Sequence, residues 1–292
     1  MVQGRILILA AAILWSTSGA FVKFLDMPAG AIAMDRTLVA TLFLAAYFAS
    51  ARRLPTFHPV MIVMMICFSM MNYTFVASLT LTSSANSVFL QYTSPLWIAL
   101  GGLAFLGEPL DRKSLVAVSG SLIGVVIIVA TNRQVSAGEQ WGMILGLTSG
   151  IFYAGAALSL RFLRDHDPRW LAFLNHLGAG TSLLIVNMIG VSQGWISPEV
   201  FYLPTEPTRL AVLIAFGILQ MGLPYVLFAR GLSVVPAKEA GILTLIEPVL
   251  NPIWAFLIAR DLPTSGTLVG GAILLTSLLW QYWPLGKHER GR

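Results

Sequence analysis

Charge is what this sequence has least of. Asp, Glu, Lys and Arg make up 11% of its 292 residues while 57% are hydrophobic, against roughly 25% charged in an ordinary soluble domain. A water-soluble core cannot absorb so many apolar stretches without exposing them, which excludes the soluble globular classes. The one cysteine, Cys67, lies inside an apolar run, which excludes an intramolecular disulfide and any cysteine-built zinc site. There is no Gly-Lys-Ser/Thr phosphate loop; with no ATP-binding motif, direct ATP coupling would require another chain. Gly-x-Ser-x-Gly, His-Glu-x-x-His and any clustered set of metal ligands are also missing, so the sequence points to no enzyme, no cofactor and no metal site.

What is present is a series of apolar runs separated by short turns rich in Pro, Gly and charge. Crossing roughly 30 Å of hydrocarbon takes about 20 residues of helix. The runs predict spans near 5 to 25, 29 to 50, 59 to 80, 84 to 106 and 113 to 131, then near 141 to 163, 168 to 193, 208 to 231, 236 to 258 and 264 to 284. The fold class is therefore an all-α integral membrane protein with ten transmembrane helices. The first run lacks a persuasive small-residue cleavage site and is read as a retained helix.

The net charge of +5 and pI near 9.6 could suggest nucleic acid as a partner, but the basic residues are dispersed between the spans, which is the signature of topology. With the N-terminus inside, thirteen basic residues fall on the inner side: Arg5, Arg52, Arg53, Arg112, Lys113, Arg161, Arg164, Arg169, Arg230, Lys238, Lys287, Arg290 and Arg292. Only Lys23, Arg133, Arg209 and Arg260 fall outside, and Arg36 lies within a span. Both termini are thus expected in the cytoplasm, with the chain in a cytoplasmic (inner) membrane and lipid as its surroundings.

The second half repeats landmarks of the first. A shift of 138 residues sets Gly4, Ile6, Leu7 and Lys23 on Gly142, Ile144, Leu145 and Arg161; a shift of 140 sets Pro28 on Pro168 and Asp35-Arg36 on Asn175-His176. A shift of 153 sets Pro95 on Pro248, Glu108 on Asp261 and Leu115-Val116 on Leu268-Val269. Apolar identities align by chance, whereas proline, basic and acidic landmarks kept in one order do so less easily. Five helices is an odd number, so the second copy is expected to enter the membrane inverted, a recurrent design of secondary transporters. The expected organisation is a first five-helix repeat over 1-131, a linker over 132-140, a second repeat over 141-284 and a basic cytoplasmic tail over 285-292.

Leu14-Trp15-Ser16 and Lys23, Pro28 and Arg36, Ser94-Pro95, Gly107-Glu108 and Glu247-Pro248, in that order, resemble the drug/metabolite transporter (DMT) superfamily, and within it the EamA-type exporters, over essentially the whole chain. Two departures stand out: Trp15-Ser16 where members often carry Trp-Gly, and Arg260-Asp261 where they carry Gly-Glu. The resemblance implies efflux of small organic metabolites, with the aromatic and neutral amino-acid exporters of the YddG type as the nearest relatives. The expected function is a secondary exporter of amino acids or similar small molecules, working by alternating access. A passive channel, a non-transporting scaffold and a membrane-embedded enzyme are the alternatives.

Candidate site residues follow from depth. Trp141, Trp170, Trp195, Tyr202, Trp280, Tyr282 and Trp283 sit near predicted helix ends and read as an interfacial belt. Trp15, Tyr73, Tyr92, Tyr153 and Tyr225 lie deeper, where a ring suits an amphipathic solute better than lipid, and are expected around a central cavity with Asn86 and Glu247. Pro248 frees a backbone carbonyl next to Glu247. His176 and Asn187, eleven residues apart, return to nearly one helical face. Met61, Met64, Met65, Met70 and Met71 spread over several faces and read as thioether packing. Asp35-Arg36 and Asn175-His176, at symmetry-related depths, are the gating candidates: Arg36 to close the outer side and His176 the inner.

Overall fold

The computed structural model describes residues 2–49, 56–107 and 111–283, and every regular element among them is helical. The first apolar run is two helices, α1 (Val2–Trp15) and α2 (Ser18–Leu25), followed by the continuous α3 (Ala29–Ala49) and α4 (Val60–Leu81). The fourth run is split into α5 (Ser84–Gln91) and α6 (Ser94–Leu106), and α7 (Arg112–Thr131) follows. In the second half α8 (Ala137–Phe162) and α9 (Pro168–Ser192) are continuous, and a 3-10 turn covers Pro198–Phe201. Then α10 (Pro207–Ala215) passes through a π-helical segment, Phe216–Gly222, into α11 (Leu223–Leu232). The ninth run is split into α12 (Ala237–Thr244) and α13 (Ile246–Ala259), and α14 (Ser265–Tyr282) is last. Among the described residues nine runs, from Val2–Leu25 to Glu239–Ala259, are long and apolar enough to cross a membrane. The 18 residues of α14 lie along α7. Glu108, Arg52, Arg53 and the basic tail 285–292 fall outside the described residues.

The interruptions have local causes. At the first, the Ser16 and Thr17 hydroxyls donate to the carbonyls of Ile13 and Leu14, both at 2.6 Å, competing with the helical ladder. At the second, Pro95 cannot donate to the carbonyl one turn back, and Thr93 Oγ1 donates to Leu90 O at 2.7 Å. At the third, Pro248 does the same to the carbonyl of Thr244. The π segment just precedes Pro224, whose missing N–H leaves the ladder short of a donor where an extra residue is most easily inserted. Helix α8 starts at Ala137 because Ser136 and Glu139 form a reciprocal capping box.

Segment order recurs at the 153-residue shift. The bounds of α5, 84 to 91, map onto 237 to 244, those of α12. Gly107 and Arg260, each ending its helix in the left-handed region at φ 66° and 56°, are also 153 apart. So are Asp111 and Thr264, which cap α7 and α14 by accepting a bond from the backbone three residues on.

Packing pairs α4 with α8, α11 with α1, α3 with α9, and α7 with α14. Small residues allow the close approaches: a Cβ on Gly124 would stand 2.5 Å from the Gly270 carbonyl oxygen, and one on Gly270 equally close to that of Gly124. The two ends of the bundle differ. At the Lys23 end α5 packs on α13 and α14, and α2 on α13. At the Arg5 end α6 packs on α7 and α8, and α12 on α1, α13 and α14. Among the described residues α6 and α12 make no close packing with each other.

Candidate functional site

The deepest charge belongs to Arg36, 2% exposed in the middle of α3. Its Nη1 donates to Gln220 Oε1 at 3.1 Å, its Nη2 donates to Asn72 Oδ1, and its guanidinium stacks 4.8 Å from the centroid of the Phe216 ring. Asn72 in turn donates to Thr37 Oγ1 and, at 3.4 Å, to Ala33 O, while Gln220 Nε2 donates to Trp15 O at 3.4 Å. Both Gln220 and Phe216 belong to the π segment, so that segment aims two side chains at one cation. Arg36 therefore ties four helical runs together. Yet both its acceptors are neutral amides, and among the described residues its Nε has no partner and no carboxylate lies within 4 Å of it.

Next to this ring of amides lies an aromatic wall. Trp15 meets Tyr225 edge-on at 5.4 Å and Phe228 at 5.3 Å; His176 meets Tyr225 at 4.8 Å and Phe68 at 4.9 Å. These rings fill the space between α1, α4, α9 and α11 rather than leaving it open. Tyr153 is more accessible. That residue falls on the face of α8 that carries Gly142, Gly146 and Ser149, all buried, yet it is 44% exposed. Ile144 and Ile151, 48% and 45% exposed, are on the opposite, lipid-facing side. This bundle-facing ring is thus accessible at a point on the Arg5 side of those buried residues.

Glu247 is the anionic counterpart. It stands in the first turn of α13, half-buried, and Oε2 accepts the Tyr92 hydroxyl at 2.8 Å. The same hydroxyl is 3.2 Å from Thr244 O, the carbonyl that Pro248 leaves without a helical partner. Among the described residues Glu247 has no basic partner in ion-pair range.

Several expected members are elsewhere. Asn86 is drawn into a knot at the Lys23 end: its Nδ2 donates to Thr82 Oγ1 at 3.0 Å and its Oδ1 accepts from Thr267 Oγ1 at 2.7 Å. Tyr73 shares a stripe of α4 with Ile66 and Met70, 57% and 40% exposed, and packs against the hydrophobic cluster around Phe75. It stands apart from the rings of Trp15 and Tyr225. Asp35 does not pair with Arg36; it is half-buried above Leu42, which is 75% exposed, and has no hydrogen-bond or ion-pair partner among the described residues. Asn175 is buried with Oδ1 unpartnered, and His176 bonds Ala172 O at 2.8 Å through Nδ1 with Nε2 unpartnered. Asn187 shares no channel with His176: it donates to Gly30 O at 3.3 Å, holding α9 to α3. Among the described residues no three His, Cys, Asp or Glu side chains converge as a metal site would need.

At the Lys23 end, Lys23 Nζ donates to Thr82 O at 3.0 Å and lies 4.0 Å from Asp261 Oδ2, which accepts the Ser84 N–H at 2.8 Å. Asn251 Nδ2 donates to Ser18 Oγ at 2.8 Å, and Trp254 Nε1 donates to Ser16 Oγ at 2.9 Å. At the other end, Arg5 pairs with Glu239 and Lys113 donates to Trp283 O at 2.5 Å. Asn72, Gln220, Phe68 and Phe216 are the site residues that sequence reasoning passed over. Asn72 and Gln220 carried a signal, being amides in apolar runs that must find partners inside the protein.

The fold and its polar centre agree with the chain's kinship. The family model of EamA-like transporters matches residues 2–130 and again residues 140–283. The chain belongs to the EamA-like transporter family. The two matched stretches coincide with the two halves of the helical array. An uncharacterised transporter of Archaeoglobus fulgidus is 27% identical over 208 residues, 70% of this chain and 69% of that protein. The pseudopaline exporter CntI of Pseudomonas aeruginosa is 25% identical over 201 residues, 67% and 64% of the two chains. The threonine/homoserine exporter RhtA of Escherichia coli is 28% identical over 210 residues, 71% and 66%. Each match thus spans about two thirds of the relative's length. A solved crystal structure superposes with a TM-score of 0.63 over 96% of both chains at 14% identity, a likeness of fold alone. The chain is therefore a multi-pass membrane protein of a transporter family, and family membership indicates no enzymatic activity.

Proposed function

We propose that this protein is a secondary exporter that carries small metabolites, in particular neutral or aromatic amino acids, across the cytoplasmic membrane by alternating access. In this reading α14 is a tenth span, the halves 1-131 and 141-284 are inverted five-helix repeats, and both termini are cytoplasmic. The observation that carries the reading is a helical array whose segments recur at a fixed shift, bonded shut at its Lys23 end and with the Tyr153 ring accessible toward its Arg5 end. A carrier needs a site at the repeat interface that two barriers reach in turn. With the N-terminus inside, the closed Lys23 end is the outer one and Tyr153 faces the cytoplasm, the side from which an exporter loads. The name of the Escherichia coli relative, which specifies threonine and homoserine, supports amino acids as the cargo class.

Trp15, Tyr92, Tyr153, Tyr225 and Glu247 are the binding residues in this scheme. Arg36 and His176 bias the outer and inner closures, with Asp35 and Asn175 beside them. The test is counterflow in liposomes holding the purified full chain, run with each of the twenty labelled amino acids. Faster uptake when unlabelled cargo waits inside is the result expected of a carrier. Uptake indifferent to internal cargo is the result of a channel, and no uptake of any amino acid overturns the proposal.

A further inference from the structure

Two broken helical runs, one in each half, are joined by a single side chain. Leu245 separates α12 from α13, and Tyr92, which follows α5, is its counterpart at the 153-residue shift. The Tyr92 hydroxyl lies 2.8 Å from Glu247 Oε2 and 3.2 Å from Thr244 O. A phenol has one proton to donate, and both neighbours are acceptors when Glu247 is ionised. Whichever oxygen it serves, the other goes short. Pro248 has no N–H for the Thr244 carbonyl one turn back. Among the described residues no base stands in ion-pair range of the carboxylate. An unsatisfied carbonyl and an uncompensated carboxylate are both costly in a membrane bundle.

One added proton ends the shortage. Protonated on Oε2, Glu247 donates to the Tyr92 oxygen, and the Tyr92 proton is free for Thr244 O. Two donors then serve two acceptors, in a chain from carboxyl to hydroxyl to carbonyl that crosses from one half to the other. We propose that Glu247, Tyr92 and the Thr244 carbonyl are a proton-binding site spanning the two breaks, through which export is coupled to proton entry. The inference rests on the proposed exporter function and names its coupling ion. Tyr92 and Glu247 are both half-buried rather than sealed, so water delivers the proton and takes it back. Bound, the proton ties the two breaks together. Released, it leaves the hydroxyl on the carboxylate and the Thr244 carbonyl loose. A link between the halves that depends on a proton biases which side is open. A sodium ion would have to displace the hydroxyl that already stands between the same two oxygens. Among the described residues the other charges near α13 are engaged elsewhere. Lys23 of α2 is drawn to Thr82 and Asp261 beyond the far end of α13, and Arg5 of α1 pairs with Glu239 of α12. Tyr282 of α14 shares a hydrophobic cluster with Tyr92 and Leu245, and α8, which bears Tyr153, packs on α5 and α6. Both are phenols, uncharged near neutral pH.

The test uses the purified full chain in liposomes that enclose a pH-sensitive dye, in sodium-free buffer at equal pH on both sides. Whichever labelled amino acid shows the fastest counterflow is added outside. Cargo moving in should drive protons out, so the lumen turns alkaline. Glu247→Gln, of the same size, should abolish that signal, so that any cargo it still moves carries no protons with it. Wild-type uptake without alkalinisation, or uptake that requires sodium, overturns the proton site and leaves the exporter standing. Alkalinisation unchanged in Glu247→Gln does the same. A cargo-free arm tests the site even where no amino acid is moved, the result that overturns the exporter. Infrared difference spectra of the protein in lipid, between alkaline and acid pH, should contain a carboxyl C=O band that is lost in Glu247→Gln. The band should be displaced in Tyr92→Phe, whose ring offers no hydroxyl. Should Glu247→Gln fail to fold, the displacement in Tyr92→Phe decides alone. A band identical in the wild type and every variant that folds overturns the site.

Discussion

Arg260 ends α13 with φ at 56°, where glycine is at ease and an L side chain pays roughly 1–2 kcal/mol in crowding of its Cβ. Its equivalent one repeat earlier is Gly107, at φ 66°. The departure from the family's Gly-Glu pattern noted in the sequence thus has a physical location. Arg260 recovers part of the strain by stacking 5.4 Å from the Phe256 ring, worth about 0.5–1 kcal/mol at an exposed site. The strain outweighs the stacking, so Arg260→Gly should raise the unfolding midpoint in detergent slightly. Thermal unfolding followed by intrinsic fluorescence checks it; a lower midpoint would mean that the stacking is the larger effect. The other departure, Ser16, has a use that glycine cannot supply, since its hydroxyl accepts the Trp254 N–H. At this scale the charged residues were legible because a charge in an apolar run announces itself. Arg36, His176 and Glu247 were singled out by depth, whereas Asn72 and Gln220 were passed over because an isolated amide carries no motif.

Helix extents were legible to within a few residues, since hydropathy and length report the spans directly. Their interruptions were not. A break of one or two residues at Ser16-Thr17 or at Leu245 leaves the apolar run unbroken, and hydroxyl back-bonding has no periodic signature. The π segment was equally hidden, although Pro224 marks where the ladder must give way. Tyr73 was misplaced because depth along a helix says nothing about which face a residue occupies. Close packing of elements depends on single hydrogen atoms. Replacing Gly124 with Ala places a methyl group 2.5 Å from the Gly270 carbonyl, and forcing α7 from α14 to admit it should cost about 1–3 kcal/mol. A lowered unfolding midpoint for Gly124→Ala, with no change for an Ala placed at the open, positive-φ-free Gly138, is the expected pair of results. An unchanged midpoint at Gly124 would show that the two helices slide without cost.

Across the whole molecule the two halves share segment order while the two ends of the bundle differ in packing, and this difference predicts chemical accessibility. In a Cys67→Ala background, Tyr153→Cys should react with a membrane-impermeant thiol reagent from the cytoplasmic side. Ser84→Cys, at a position 0% exposed, should react from neither. Adding Arg36→Ala should open the outer side and raise reactivity at residue 84, while adding His176→Ala should deepen the inward-open preference. Shifts in one direction for both, or none for either, would leave Arg36 and His176 as packing residues.

The knot at the Lys23 end also bears on what the empty protein does between cargoes. In the proposed carrier the bonds that cross between the halves there, Ser84 N–H to Asp261, Thr267 to Asn86 and the Lys23–Asp261 pair, would have to part together for that end to open. At about 1–2 kcal/mol apiece they sum to about 3–6 kcal/mol. At 1.4 kcal/mol per factor of ten, an unloaded molecule opens outward between about one time in a hundred and one in twenty thousand. On that proposal a membrane studded with such proteins would stay tight to protons and salts, and a cell could keep many copies in reserve without dissipating its gradients.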